Sequence, residues 1–433
     1  MKNTLLTLVA AAALSAVADP TDPQVAISSV TQPEGKYQVT VGYSLDEDAV
    51  ITMDVMTNGV SIGGQNINHV IGDCFKLVKA GTGTFTWYAD KSWPGHRIDE
   101  NIVTIEVKAW AKIAPPDFMV IDLMGNFVNY YPSKEFLPGG LTADLYKTSK
   151  LVMRKIHSKG VEWTMGSPVT ECGREQNRQS IGGGYSGYAP EVAHTVTLDH
   201  DFYIAVYELT LRQSDLIKDA KTSAYFTFAD DRFMRPCDYT CYPDALNVIS
   251  KLNTKIGMTG FKLPLEAEWE FACRAGTTSA LYSGKELTTV STSNGQPMAG
   301  NADANLDELA RYGYNGGMTD EDGNVLTIDY GWAAEHGTAK VGSYKPNAFD
   351  LYDMLGNVRE LTRSVWAFDC SNVDPNAEPD MGTNSPVLRG GSWHDTANWC
   401  RSASRVNWSS ANWPSWNQMY QGIRLSCTAV AEK

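Results

Sequence analysis

The sequence predicts an α+β domain preceded by an all-β sandwich of immunoglobulin or fibronectin type. Three observations lead there. The chain has 433 residues and a mass of 47.5 kDa, more than one hydrophobic core usually organises, so two domains are expected. Between Gln24 and Ala114 apolar residues alternate with polar ones, the period of strands with one buried face. Beyond about residue 150, three helix signals precede a long stretch rich in Gly, Asn, Asp, Ser and Trp, with little periodicity.

The elements follow in chain order. Lys2, the apolar run Leu5 to Leu14 and the small-x-small triplet Ala16-Val17-Ala18 have the layout of an export signal cleaved after Ala18, and the run is too short for a permanent span. A secreted or periplasmic protein with no membrane span is therefore expected. The sandwich is assigned to residues 19–114 on the alternations Tyr37, Val39, Val41, Tyr43; Ile51, Met53, Val55; Phe85, Trp87; and Val103, Ile105, Val107, Ala109. Gly81-Thr82-Gly83 and Trp93-Pro94-Gly95 read as turns between strands. Pro115-Pro116 resists both helix and ladder pairing, and residues 115–148 read as an irregular linker. The second domain is placed at 149–428, with 429–433 as a tail.

Helices in that domain are marked by their ends. Thr210 with Gln213 forms a capping-box pattern ahead of Leu211, Leu216 and Ile217. Pro243 opens a helix carrying Leu246, Ile249, Leu252 and Ile256, stopped by Gly257. Pro264 precedes a third, with Leu265, Trp269, Ala272 and Cys273 on one face and Gly276 at its end.

Charge and cysteine content narrow the function. With 36 basic against 50 acidic residues the formal charge is -14, which repels phosphate and argues against a nucleic-acid partner. Eight cysteines in an exported chain favour disulfides, with Cys237 and Cys241 read as structural half-cystines. Gly182-Gly183-Gly184 lacks the Lys-Ser/Thr of a phosphate loop, and Asp320 to Gly323 opens no EF-hand because Gly331 stands where the closing Glu belongs.

Six ordered strings make a family recognisable. They are Met165-Gly166-Ser167; His194 to Leu198 leading to Phe202-Tyr203-Ile204 and Glu208-Leu209-Thr210; Phe261 to Gly276; Asn347 to Glu360; Leu388 to Trp393 with Arg401 to Arg405; and Gly422 to Leu425. Together they resemble the sulfatase-modifying-factor family, whose founding activity is the formylglycine-generating enzyme. The resemblance covers about residues 150 to 428 and implies a C-type-lectin-like fold, rich in loops pinned by aromatics and, in some members, calcium.

The resemblance also implies chemistry, and this sequence departs from it. The family enzyme oxidises a sulfatase cysteine with oxygen and Cu(I) held by two thiolates, soft ligands for a soft ion. Counted from Gly390-Gly391-Ser392, the first thiol position is Asp395 and the second Cys400. Aligned instead on Arg401-x-Ala403-x-Arg405, Cys400 falls near a structural half-cystine whose partner would be Cys273. Either way the copper pair is broken and copper is not expected. The catalytic candidates are Ser392, His394, Asp395 and Cys400, with His394 and Asp395 as an acid–base pair or a site for a harder metal.

Calcium is expected at the family's second site, which maps to Asp353, Gly356, Val358 and Glu360, a mixed oxygen set suited to a hard cation. Arg359 stands where an aromatic is usual. The other calcium site is not traceable, since Ala333 and Glu335 replace ligands and Asn301 alone survives. Five of the twelve tryptophans fall between Trp393 and Trp416; Trp393 and Trp399 read as core, Trp413 and Trp416 as ligand-binding candidates. The expected function is a non-copper family member binding a protein or glycan outside the cytoplasm. The alternative is a formylglycine-generating-type oxidoreductase with a rearranged metal site.

Overall fold

The structure is a computed structural model that describes residues 22–33, 36–96, 102–174, 191–222, 230–293, 296–300, 302–316, 337–379, 385–407 and 419–430. The export signal, Gly182 to Gly184, Asn301, Asp320 to Gly323, Ala333, Glu335, Trp408, Trp413 and Trp416 lie outside them. Among the described residues the fold mixes many short strands with few helices, and no helix is long and apolar enough to cross a membrane. Two compact units emerge, one up to Tyr146 together with the tail from Ala429, the other Lys147–Thr428.

The first unit holds two antiparallel sheets. In one, strands Val25–Thr31, Gln38–Leu45, Gly81–Tyr88 and Val70–Gly72 lie in that order; in the other, Ala49–Thr57 pairs along its whole length with Val103–Ala111 and on its other edge with Lys76–Val78 and Val60–Ser61. Alternation decides which side chains go inward: Val39, Val41, Tyr43, Phe85 and Trp87 are buried from one sheet, Ile51, Met53, Val55, Val103 and Ile105 from the other. Gly81 to Gly83, read as a turn, instead begins a strand, because a Cβ at Gly83 would fall on the Tyr43 hydroxyl and glycine permits the close pairing.

The segment read as an irregular linker carries an antiparallel hairpin, Phe118–Asp122 with Phe127–Tyr131. Phe118, Met119, Val120 and Ile121 are all buried. A strand buried on both faces has no alternation to betray it. Its turn is fixed by Asp122 Oδ1, which accepts the Met124 and Gly125 N–H groups at 3.0 and 2.7 Å.

In the second unit, Lys150–Ile156, Phe202–Ala205, Ser426–Thr428 and Phe261–Lys262 form one antiparallel array, and Arg405–Val406, Pro386–Arg389, Arg359–Val365 and Gln421–Gly422 another whose last pair is parallel. The three helices appear as Leu211–Lys218, Tyr242–Ile256 and Glu266–Arg274. The capping box at Thr210 and Gln213 is made in both directions, and Gly257 caps its helix with φ 73°. Leu246 is an exception: it is 47% exposed, while Ala245 and Val248 fill the buried face beside Ile249 and Leu252.

Helix Glu266–Arg274 is buried nearly all round, not on one face. Glu266, Glu268, Glu270 and Arg274 are buried together with Trp269, Ala272 and Cys273. Each carboxylate meets a cation: Glu266 pairs with Arg405 and Arg389, Glu270 with Arg274 and Arg389, and Glu268 with Arg363 and His200. Pairs of this kind specify position more than they add stability, since desolvation offsets most of the attraction. They fix the helix against the Arg359–Val365 and Pro386–Arg389 strands, and those strands lead into the candidate site.

Candidate functional site

Two glycines shape the loop 390–400. Gly390 and Gly391 have φ of 87° and 71°, and a Cβ on Gly391 would lie 2.6 Å from the Cys400 sulfur. The following turn folds Ser392, His394 and Asp395 together. Asp395 N–H bonds the Ser392 carbonyl at 3.0 Å, Ser392 Oγ donates to Asp395 Oδ2 at 2.6 Å, and His394 N–H reaches Ser392 Oγ at 3.3 Å.

Asp395 is buried, and its partner is Arg359. The guanidinium takes the carboxylate with both prongs, Nε at 2.8 Å from Oδ2 and Nη2 on Oδ1, and lies 4.8 Å from the Tyr420 ring centroid. Burial disfavours the charge on Arg359, but the adjacent carboxylate outweighs it and raises the pKa above its ordinary value. With both oxygens bonded, Asp395 is committed to structure. His394 sits with its ring 5.6 Å from Trp393 and 5.4 Å from Tyr420. Burial lowers its pKa, against the pull of Asp395, and so favours the neutral imidazole.

Cys400 lies fully buried beneath Gly391, and burial, reinforced by the Asp395 charge, pushes its thiol pKa up. Burial thus favours the neutral thiol over the thiolate. The expected Cys273–Cys400 disulfide is not seen: both are buried free thiols, as are Cys237 and Cys241. Cys273 faces the hydroxyl of Ser402 at 3.7 Å, two residues beyond Cys400, and burial pushes its thiol up to about 12. Cys241 donates to Asp244 at 3.2 Å.

The second constellation is the turn from Asp353 to Glu360. Asp353, Gly356 and Asn357 all have positive φ, 56°, 75° and 58°, which winds the backbone tightly. The coil is held by protein groups: Gly356 N–H bonds Gly390 O at 2.8 Å, Asn357 N–H bonds Arg311 O at 2.7 Å, and Glu208 accepts Asn357 Nδ2 at 2.6 Å and Val358 N–H at 3.1 Å. Asp353 Oδ2 accepts the Gly342 N–H at 2.6 Å. Glu360 is met by Arg424, whose Nε lies 2.9 Å from both carboxylate oxygens and whose Nη2 lies 2.7 Å from Oε1, and by Trp269 Nε1 at 2.5 Å. Burial pushes Asp353 up to about 6, and burial with the Asp353 and Glu360 charges holds Glu208 well above the usual carboxylate range.

With this geometry in view, comparison with known proteins is direct. Residues 154–429 match the profile of the sulfatase-modifying factor enzyme 1-like domain. The chain belongs to the sulfatase-modifying-factor family. Among similar proteins are the formylglycine-generating enzyme of Thermomonospora curvata, 30% identical over 39% of this chain and 49% of that one, and the inactive C-alpha-formylglycine-generating enzyme 2 of Mus musculus, 29% identical over 40% and 45%. The chain thus spans less than half the length of these relatives. PvdO from Pseudomonas aeruginosa is a structural neighbour with a TM-score of 0.44 and 22% identity, over 64% of this chain and 94% of that one.

Asp395 and Arg359, expected from the sequence at the family's first thiol position and aromatic position, are each other's partner. Their opposite charges were a signal in the sequence, but nothing in their spacing placed them in contact. Tyr420, Glu208 and Arg424 were also missed as site residues, although the last two lie inside quoted motifs. The calcium set fits poorly. Glu360, the carboxylate of the set, already accepts four contacts from three N–H donors, so both of its oxygens are engaged by protein. Calcium at this turn is not supported by its donors.

Proposed function

We propose that this chain is an exported, secreted or periplasmic member of the sulfatase-modifying-factor family that does not use copper and binds a protein or glycan through the loop surface between Ser392 and Trp416. We propose for it the family's C-type-lectin-like architecture behind an immunoglobulin- or fibronectin-like sandwich. The observation that carries the reading is the bidentate Arg359–Asp395 pair beside the buried Cys400. A near-linear Cu(I) site needs two deprotonated sulfurs, and here one position holds a carboxylate already saturated by a guanidinium. An acid–base role is disfavoured too, because Asp395 is bonded on both oxygens. The family's inclusion of a relative named as inactive agrees with this.

The test has two arms. Purified protein incubated with a Cys-x-Pro-x-Arg peptide, copper and oxygen is expected to leave the peptide mass unchanged; conversion of cysteine to formylglycine refutes the proposal. Glycan-array and pull-down signals are expected to drop in Trp413→Ala and Trp416→Ala. Signals that persist in both variants move the binding surface elsewhere.

A further inference from the structure

The Asp353–Glu360 turn raises a question that goes beyond the proposed function: what neutralises its buried acid. Arg424 is fully buried, on the segment between Gln421–Gly422 and Ser426–Thr428. Its five N–H groups all find oxygen. Nη1 donates to the carbonyls of Ala205 at 2.9 Å and Val206 at 3.1 Å, Nη2 to the carbonyl of Tyr352 at 2.8 Å and to Glu360, and Nε to Glu360. Three backbone carbonyls and one carboxylate around a positive centre are the kind of shell an oxygen-seeking cation collects. Here the centre is a planar guanidinium fixed to the chain.

We infer that Arg424 is the built-in cation of this turn, so that the turn folds and keeps its shape without calcium. Three further observations converge. Both Glu360 oxygens are engaged by protein, Oε1 and Oε2 by Arg424 and Oε2 also by Trp269 Nε1. The backbone N–H groups of Gly356, Asn357 and Val358 bond Gly390 O, Arg311 O and Glu208, so the coil is tied down from three sides by protein. The groups that Arg424 joins come from four separate stretches of chain: Ala205 and Val206, Tyr352, Glu360, and Arg424 itself. A cross-link of that reach does for the loops what a shared metal does elsewhere, and guanidinium cannot dissociate or be chelated.

The test uses the full-length protein and calcium alone. After chelator stripping, calcium titrated by isothermal calorimetry is expected to give no saturable heat, and the melting temperature is expected to be the same in EGTA and in excess calcium. One-to-one binding that disappears in Asp353→Asn or Glu360→Gln overturns the inference, as does a melting temperature that falls on chelation and recovers with calcium. Binding that persists unchanged in both variants puts the ion at another place and leaves the turn to Arg424.

Discussion

Arg359 and Asp395 allow a quantitative test. In Asp395→Ala the guanidinium keeps the Tyr420 ring but loses the Asp395 carboxylate while remaining 6% exposed. Stranding one member of a buried pair costs about 3–5 kcal/mol. Arg359→Met strands the carboxylate, which retains the Ser392 hydroxyl and can take up a proton, so its cost falls toward about 3 kcal/mol. The double variant strands no charge. It leaves the Ser392 hydroxyl without its acceptor, about 1–3 kcal/mol. The singles therefore sum to about 6–8 kcal/mol against about 1–3 for the double, a coupling of at least about 3 kcal/mol. Urea unfolding of the full chain, followed by tryptophan fluorescence, measures all four corners of the cycle. If the two single effects add to the double within about 0.5 kcal/mol, the pair is not the unit described and the argument against a metal at Asp395 loses its support.

Other expectations are simpler to state. Glu268 would be raised by burial, but the His200 hydrogen bond and the Arg363 guanidinium bring it down to about 2; its folded pKa is below the unfolded one, so the stability it adds is present above about pH 4.5 and lost as pH falls toward 2, and Glu268→Gln should flatten that acid limb in urea midpoints measured against pH. His200 moves the other way: the Glu268 hydrogen bond raises its pKa, so its contribution is full below about pH 6.5 and fades as pH rises past the folded value, and His200→Gln should remove the fade. Gly391→Ala combines a φ of 71° with a contact 2.6 Å from the Cys400 sulfur, and a loss above about 2 kcal/mol is expected; a neutral result would mean the loop is looser than described. Native protein should resist alkylation at Cys273 and Cys400 and react fully at both when unfolded, with intact mass showing free thiols; unreactive unfolded protein would restore the disulfide.

What the sequence conveyed depended on the range of each signal. Thr210 with Gln213, Pro243 and Gly257 announce helix ends because caps and stops are local chemistry, and each appears where its residues put it. The Phe118–Asp122 hairpin was hidden because a strand buried on both faces alternates with nothing. The error over Leu246 is a phase error of one residue on a helix whose buried face is set by neighbours far along the chain. The candidate site was legible as a list, Ser392, His394, Asp395 and Cys400, but not as an arrangement. Arg359 lies 36 residues from Asp395 and Arg424 lies 64 from Glu360, and no period or motif spacing encodes such contacts. Cys273 and Cys400, paired on the resemblance, are separate thiols, with Cys273 3.7 Å from the Ser402 hydroxyl.

The two arginines carry one physical argument about what this family member can do. A metal at the Ser392 to Cys400 loop would need an open coordination position to meet oxygen and substrate, and an open position is one whose ligands are not already spent. Arg359 spends Asp395, and Arg424 spends Glu360, each through charge-assisted bonds in a buried site where such bonds are strongest. Guanidinium holds a single protonation state across the physiological range, offers no redox chemistry and exchanges with nothing. Loops fixed this way hold a constant shape, and on the proposed reading that lowers the ordering cost of binding a partner.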